Sequence, residues 1–304
     1  MGNVLTGFAI ILTVIAGGYV IGRTNLIGSN GAVALSKLTF TVFTPCLLIT
    51  VLSAADVRML FSTALLTSAA AAIMCAGVYA VIARMLLHRR SSETVIGALS
   101  SSYVNGGYLG LALATYILGD AAYSAPIVLL QVLFLAPIAL TILDLAGSEK
   151  VRLGRILLQP VTNPIVIASA IGVLIALTGL EIPTAVMEPV ELVGAAAVPS
   201  VLIGFGISLH GQRVLAPGTN RRDVILASVI KIVVMPVVAL AIGSALALPP
   251  DALRAVVLMA ALPAAQNVLN YAQRYDASVV LARDTIFITT LGSIPILLLS
   301  SVFL

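Results

Sequence analysis

Charged side chains are scarce: Asp, Glu, Lys and Arg together make up 9% of the 304 residues, against about 25% in a water-soluble domain. With 60% apolar residues and a mean hydropathy of +1.15, so little charge excludes a soluble globular fold and leaves an all-α membrane protein. The two cysteines, Cys46 and Cys75, both lie in apolar runs far from any metal-ligand spacing, and read as small buried hydrophobes. The two histidines, His88 and His210, stand near Arg89 and Arg213 at the ends of apolar runs, where solvated interfacial residues belong, so no metal site is expected. No glycine-rich loop closes on Gly-Lys-Ser/Thr, and neither His-Glu-x-x-His nor Gly-x-Ser-x-Gly occurs. That removes the commonest nucleotide, metalloprotease and hydrolase chemistries. An intramembrane hydrolase would also need a nucleophile and a base at depth, and no histidine or carboxylate pair lies at depth beside the serines. An enzyme is the least favoured class, and no cofactor is expected.

What is present is apolar length. A span needs about 20 apolar residues, and on that basis ten transmembrane helices are expected, with the first read as an uncleaved span. Five fall in residues 1–145 and five in 160–304, joined by a polar cytoplasmic linker at 146–159. Alternate connections carry Arg23, Lys37, Arg84, Arg89, Arg90, Lys150, Arg152, Arg155, Arg213, Arg221, Arg222, Arg274 and Arg283, whereas the opposite connections carry only Arg58 and Arg254. The net charge of +4 is thus topology information, with no call for nucleic acid: the basic side is cytoplasmic and both termini are extracytoplasmic, in a multi-pass plasma (inner) membrane protein.

Five spans per half is an odd number, so two related halves enter the membrane in opposite senses, a five-plus-five inverted repeat. Pro45-Cys46-Leu47-Leu48-Ile49 matches Pro199-Ser200-Val201-Leu202-Ile203, and Pro137-Ile138-Ala139-Leu140 matches Pro295-Ile296-Leu297-Leu298, each pair separated by close to half the chain.

The fourth span, from about Val95 to Leu118, is interrupted by Ser101-Ser102-Tyr103-Val104-Asn105-Gly106-Gly107-Tyr108-Leu109-Gly110, and the ninth, from about Ala252 to Tyr275, by Leu262-Pro263-Ala264-Ala265-Gln266-Asn267. Backbone groups freed at membrane depth must face protein or a cavity, and paired interruptions in two halves point to a transporter's binding site. Alternatively, Gly106-x-x-x-Gly110 is a packing motif and Pro263 a kink. If the two broken helices cross, their second halves direct electropositive N-termini at one central point, where an anion fits. Asn105 and Asn267 would cap these half-helices or donate to a substrate, with Gln266 a further donor. Thr44, Pro45, Pro199 and Ser200 form proline turns in the second and seventh spans, lining the site or merely bending the helix. Gln131 faces the cavity or bonds a neighbouring helix. Lys231 lies about 12 Å below the cytoplasmic edge, counting 1.5 Å per residue from Asp223. A cation there holds substrate charge, exchanges a proton, or bonds freed carbonyls.

The candidate substrate-binding set is therefore Asn105, Gly106, Gly107, Tyr108, Pro263, Gln266, Asn267, Thr44, Pro45, Pro199 and Ser200, with Lys231 a candidate for charge coupling.

These residues resemble the auxin efflux carrier family, in its shorter prokaryotic branch of malonate and malate carriers, within a fold superfamily shared with bile-acid/sodium symporters. The resemblance rests on Thr44-Pro45-Cys46-Leu47-Leu48, on Asn105 with Gly110, on Leu262-Pro263 through Ala272-Gln273-Arg274-Tyr275, and on Ala282-Arg283-Asp284-Thr285 through Pro295. It implies crossed broken helices 4 and 9 and a scaffold of helices 1, 2, 6 and 7. It also implies a moving transport domain, elevator-type motion, a homodimer through the scaffold, and Asn105, Gln266 and Asn267 lining the site. The sequence departs from the plant pattern at Leu111-Ala112, where the crossover proline is missing, and it lacks the long central loop and the charged pair of the plant third span. The function expected is secondary active or facilitative transport of a small organic anion, a mono- or dicarboxylate, with H+ or Na+ as the coupling ion if there is one. The alternatives are a sodium-coupled bile-acid-type symporter and a non-transporting membrane ligand sensor.

Overall fold

The computed structural model describes residues 2–54, 63–146, 164–211 and 221–303. The expected linker from residue 147 onward, and the loop cations Arg58, Lys150, Arg152, Arg155 and Arg213, lie outside the described residues. The described residues are overwhelmingly helical, with no strand among them. Among the described residues, five helices are long and apolar enough to cross a membrane: Asn30–Ser53, Thr63–Met85, Thr184–Leu209, Arg221–Ala245 and Val279–Ser300. Shorter apolar helices include Ala136–Ala146 and Pro164–Thr178. The fourth and ninth expected spans are absent from the long set because each is broken. Ser91–Ser102 and Gly106–Gly110 flank one gap, Pro250–Ala260 and Gln266–Arg274 the other.

The chain divides into two compact units that interleave in sequence. One comprises Met1–Phe61, Gly107–Leu129 and Gln159–Gln212. Its helices meet backbone to backbone through glycines. A Cβ on Gly18 would strike Ile203, one on Gly206 would strike Ile15, and one on Gly22 would come within 3.0 Å of the Ile207 carbonyl. Gly2–Thr24 and Ala197–Leu209 thereby pack at the close range that small residues permit between membrane helices. Thr44–Ser53 is held the same way on two sides: a Cβ on Gly172 would lie 2.8 Å from Leu52 Cβ and one on Gly194 2.8 Å from the Leu47 nitrogen.

Two prolines shape this unit differently from each other. Ahead of Pro45 the helix widens into a π-turn at Thr39–Phe43, and the Thr44 amide reaches back five residues to the Thr39 carbonyl. Pro199 follows a one-residue irregularity at Ala196, which separates Thr184–Ala195 from Ala197–Leu209. The seventh span, expected to start at Pro189, starts instead at Thr184 with Pro183 as its N-cap. Pro183 supplies the fixed φ at the helix entrance, and Pro189 is carried inside the helix.

The other unit comprises Ser62–Gly106, Leu130–Leu158 and Arg213–Leu304. Thr63–Met85 and Ser91–Ser102 form an antiparallel pair in which Gly97 lies directly against the ring of Tyr79, so that no larger residue fits. Arg221–Val229 is fastened to this pair by charge: Arg89 Nε and Nη2 donate to Asp223 Oδ1 and Oδ2 at 3.0 and 2.7 Å, and Tyr79 OH donates to Oδ1 at 3.4 Å. Asp223, an edge residue by sequence, is only 1% exposed. Its hydrogen bonds push the Arg89 pKa above the ordinary guanidinium value. At another corner Tyr275 OH donates to Asp144 Oδ1 at 2.6 Å, tying the end of Gln266–Arg274 to Ala136–Ala146.

Candidate functional site

Both helix breaks are extended, and they pair with each other. Ser91–Ser102 stops at Tyr103, whose φ and ψ of −83° and 106° leave the helical region. Pro250–Ala260 stops because Pro263 has no N–H to continue the ladder, and Ala265 is extended at −76° and 144°. Val104 and Ala264 face each other in an isolated antiparallel bridge. The Asn105 amide donates to the Pro263 carbonyl at 2.9 Å and the Ala265 amide to the Tyr103 carbonyl at 3.0 Å. Peptide groups that would be orphaned in hydrocarbon thus satisfy each other. The crossing is buried: Tyr103, Val104, Leu262 and Ala264 are each 2% exposed or less.

Around this crossing lie unsatisfied groups. Asn105 is buried, and its Oδ1 has no hydrogen-bond partner. Elsewhere in the unit, Gln131 Nε2 and Thr285 Oγ1 are also buried without one. Unpartnered buried polar atoms are uncommon in native structures and call for an explanation. The helix Gln266–Arg274 starts with Ala265 as N-cap and no side-chain cap. The Val268 amide falls back on the Ala265 carbonyl at 3.1 Å, and the amides of Gln266 and Asn267, in the first turn, have no intrahelical acceptor. A capping role for the asparagines is therefore not what the structure has. Asn267 is the second residue of its helix, not its cap, and Asn105 Oδ1 accepts from no amide of the stretch that follows it. The Asn267 side chain instead interacts with the hydroxyl of Tyr103, which also meets that of Tyr271.

Lys231 is fully buried, at 0% exposure. Its Nζ donates to the Ala260 carbonyl at 2.8 Å and touches Met235 Sδ at 3.3 Å. Of the roles left open by the sequence, bonding a carbonyl freed by a break is the contact the side chain makes. Among the described residues no carboxylate lies within ion-pair distance of it.

The structure thus brings Asn105, Gly106, Pro263, Gln266, Asn267 and Lys231 into one unit, the first five at or beside the crossing. Thr44, Pro45, Pro199, Ser200, Gly107 and Tyr108 belong to the other. There Thr44 and Pro45 are buried and Pro199 is exposed. A Cβ added at Gly107 would meet no atom within 4 Å, so this glycine is not explained by a close helix contact. Sequence reasoning missed Tyr103, Thr289 and the Arg89–Asp223 pair.

The family described as membrane transport protein matches residues 3–301. The chain belongs to this family, the auxin efflux carriers. The carrier is similar to a Rhizobium meliloti protein named "Putative malonate transporter", with 27% identity over 76% of this chain and 73% of the relative. It also resembles an Escherichia coli protein named "Uncharacterized transporter YfdV", with 23% identity over 93% of this chain and 91% of the relative. An "Uncharacterized transporter" of Methanothermobacter thermautotrophicus is 26% identical over 100% and 99% of the two chains. The carrier is a multi-pass membrane protein, and its family implies a small-molecule substrate and a lipid bilayer as surroundings.

Proposed function

We propose that this carrier moves a small organic anion, a mono- or dicarboxylate, across the plasma membrane by alternating access. The observation that carries the reading is the bridge between Val104 and Ala264: two membrane helices, far apart in sequence, are broken at the points where they meet. Such breaks in lipid are tolerated where they serve a site. The anionic class is supported by the open first turn of Gln266–Arg274, by the buried cation Lys231, and by the malonate named for the Rhizobium meliloti relative. Asn105, Gly106, Pro263, Gln266 and Asn267 hold the substrate in this reading.

The mechanical half of the proposal is a ten-span inverted repeat with both termini outside, working as an elevator, with H+ or Na+ as coupling ion. Its division into scaffold and moving domain is supported by the interleaving of the units. One holds residues 1–61, 107–129 and 159–212, which contain the expected spans 1, 2, 6 and 7 together with the second half of the fourth and the start of the fifth; the other holds the third, eighth and tenth together with the crossing. In this reading the first unit is the scaffold, through which a homodimer forms.

Uptake of radiolabelled malonate into proteoliposomes, with a panel of unlabelled carboxylates as competitors at several pH values and sodium levels, tests the proposal. Saturable uptake is expected. Asn105→Ala and Asn267→Ala should each lower it by about tenfold or more, as loss of a hydrogen bond to a charged group does. Unchanged uptake in both variants would refute the site, and absence of saturable carboxylate uptake would refute the substrate class.

A further inference from the structure

In an unbroken helix the Ala264 amide would donate to the Ala260 carbonyl, because each N–H bonds the carbonyl four residues back. In this carrier both groups are engaged, but not with each other. The amide donates to Thr289 Oγ1 at 3.1 Å, and the carbonyl accepts from Lys231 Nζ at 2.8 Å. No neighbouring amide competes for the carbonyl: Pro263 has none, and those of Ala261 and Leu262 go to Val257 and Met259. Two side chains from two other helices therefore occupy the donor and the acceptor of one missing hydrogen bond. Both are 0% exposed. The Thr289 hydroxyl spends its proton on the Thr285 carbonyl at 2.7 Å, which leaves a lone pair turned toward the Ala264 amide.

A neutral donor would satisfy Ala260 equally well, and would avoid burying a charge in hydrocarbon. What the ammonium adds is attraction for an anion. Among the described residues the other buried charges of this unit do not offset it, because Asp223 is paired with Arg89 and Asp284 with Arg283.

We propose that Lys231 and Thr289 are positioning residues that together prop open the break between Ala260 and Gln266, and that the unneutralised Lys231 charge selects dianions over monoanions at the crossing. The selectivity half rests on the carboxylate reading of the site; the prop does not.

Two measurements test the halves separately. Val104 and Ala264 form the bridge pair lying between its two hydrogen bonds, the type with Cα atoms about 4.5 Å apart, within disulfide range. In a background carrying Cys46→Ser and Cys75→Ala, the double variant Val104→Cys/Ala264→Cys should crosslink readily under mild oxidation. Adding Lys231→Met or Thr289→Val should slow that crosslinking at least fivefold, whereas Lys231→Gln and Thr289→Ser, which keep a donor and an acceptor, should preserve it. Undiminished crosslinking with Met and Val would overturn the prop.

For selectivity, malonate and lactate transport are compared in Lys231→Gln without the added cysteines. Coulomb work scales with ligand charge, so a tenfold rise in KM for lactate should accompany a rise of about a hundredfold for malonate, with kcat little changed. Equal losses for both anions, or none, would overturn the charge role. A parent protein that carries no carboxylate would remove the substrate reading and with it the selectivity, while the crosslinking result would still decide the prop.

Discussion

Arg89→Met should destabilise the carrier more than Asp223→Asn, although each breaks the same ion pair. The asymmetry comes from exposure: the Arg89 side chain is 25% exposed and that of Asp223 1%. Removing the arginine strands a carboxylate in the interior with only the long 3.4 Å bond from Tyr79. Breaking a buried pair in this way costs about 3–5 kcal/mol, and the water that a quarter-exposed partner admits brings the expectation below that range, to about 2–3 kcal/mol. Removing the carboxylate instead leaves a guanidinium that can turn to water, so Asp223→Asn should cost only about 1 kcal/mol. At roughly 2–4 °C per kcal/mol, the midpoint of thermal unfolding in detergent should fall by about 4–12 °C for Arg89→Met and by a few degrees for Asp223→Asn. The sequence has no tryptophan, so intrinsic tryptophan fluorescence offers no signal. Cys75 is 1% exposed, and a thiol-reactive fluorophore that reports its exposure serves in its place. The double variant Arg89→Met/Asp223→Asn should recover part of the loss seen in Arg89→Met. Equal shifts for the two single variants, or a double variant no better than Arg89→Met, would refute the argument that the stranded charge sets the cost.

Gly206→Val should lower yield and thermal stability sharply, because its Cβ would enter the Ile15 carbonyl, while Gly17→Ala, whose Cβ meets nothing within 4 Å, should leave both unchanged; size-exclusion profiles and the same thermal assay read the contrast. Tyr275→Phe removes a 2.6 Å donor from Asp144 and should cost about 1–2 kcal/mol, seen as a midpoint a few degrees lower. Gly97→Leu should fail to fold unless paired with Tyr79→Ala, since the ring occupies the space the new side chain needs.

The two breaks were legible because they violate the pattern around them: glycines, asparagines and a proline inside apolar runs have no other reason to be there. The class of protein followed from charge scarcity for the same reason. What stayed hidden depends on partners distant in sequence. Asp223 follows Arg221 and Arg222 and therefore reads as an interfacial residue; only the packing of Ser91–Ser102 and Thr63–Met85 shows that its partner is Arg89. Thr289 was unreadable because threonines in apolar helices usually bond the carbonyl four residues back, as Thr39, Thr50 and Thr67 do, and nothing local distinguishes the one whose oxygen also receives an amide. Of the two roles the sequence leaves open for Asn267, capping fails because the helix starts at Gln266, two residues earlier in the chain than a cap at 267 would require. Lys231 stood out by depth alone, but its contact with Ala260 links positions 29 residues apart and needed coordinates.

The joint between the broken helices is made of peptide groups, which every amino acid possesses. The residues at 104 and 264 can therefore be exchanged without undoing it, within the limits on bulk and charge set by their 1% exposure and short of proline at 264, whose amide donates to Thr289. Specificity is then free to drift in the surrounding side chains while the mechanical frame stays put, and one architecture can be retuned from cargo to cargo by few substitutions. A saturation library at these two positions should accordingly tolerate exchange among small uncharged side chains and reject bulky or charged ones, with proline also rejected at 264.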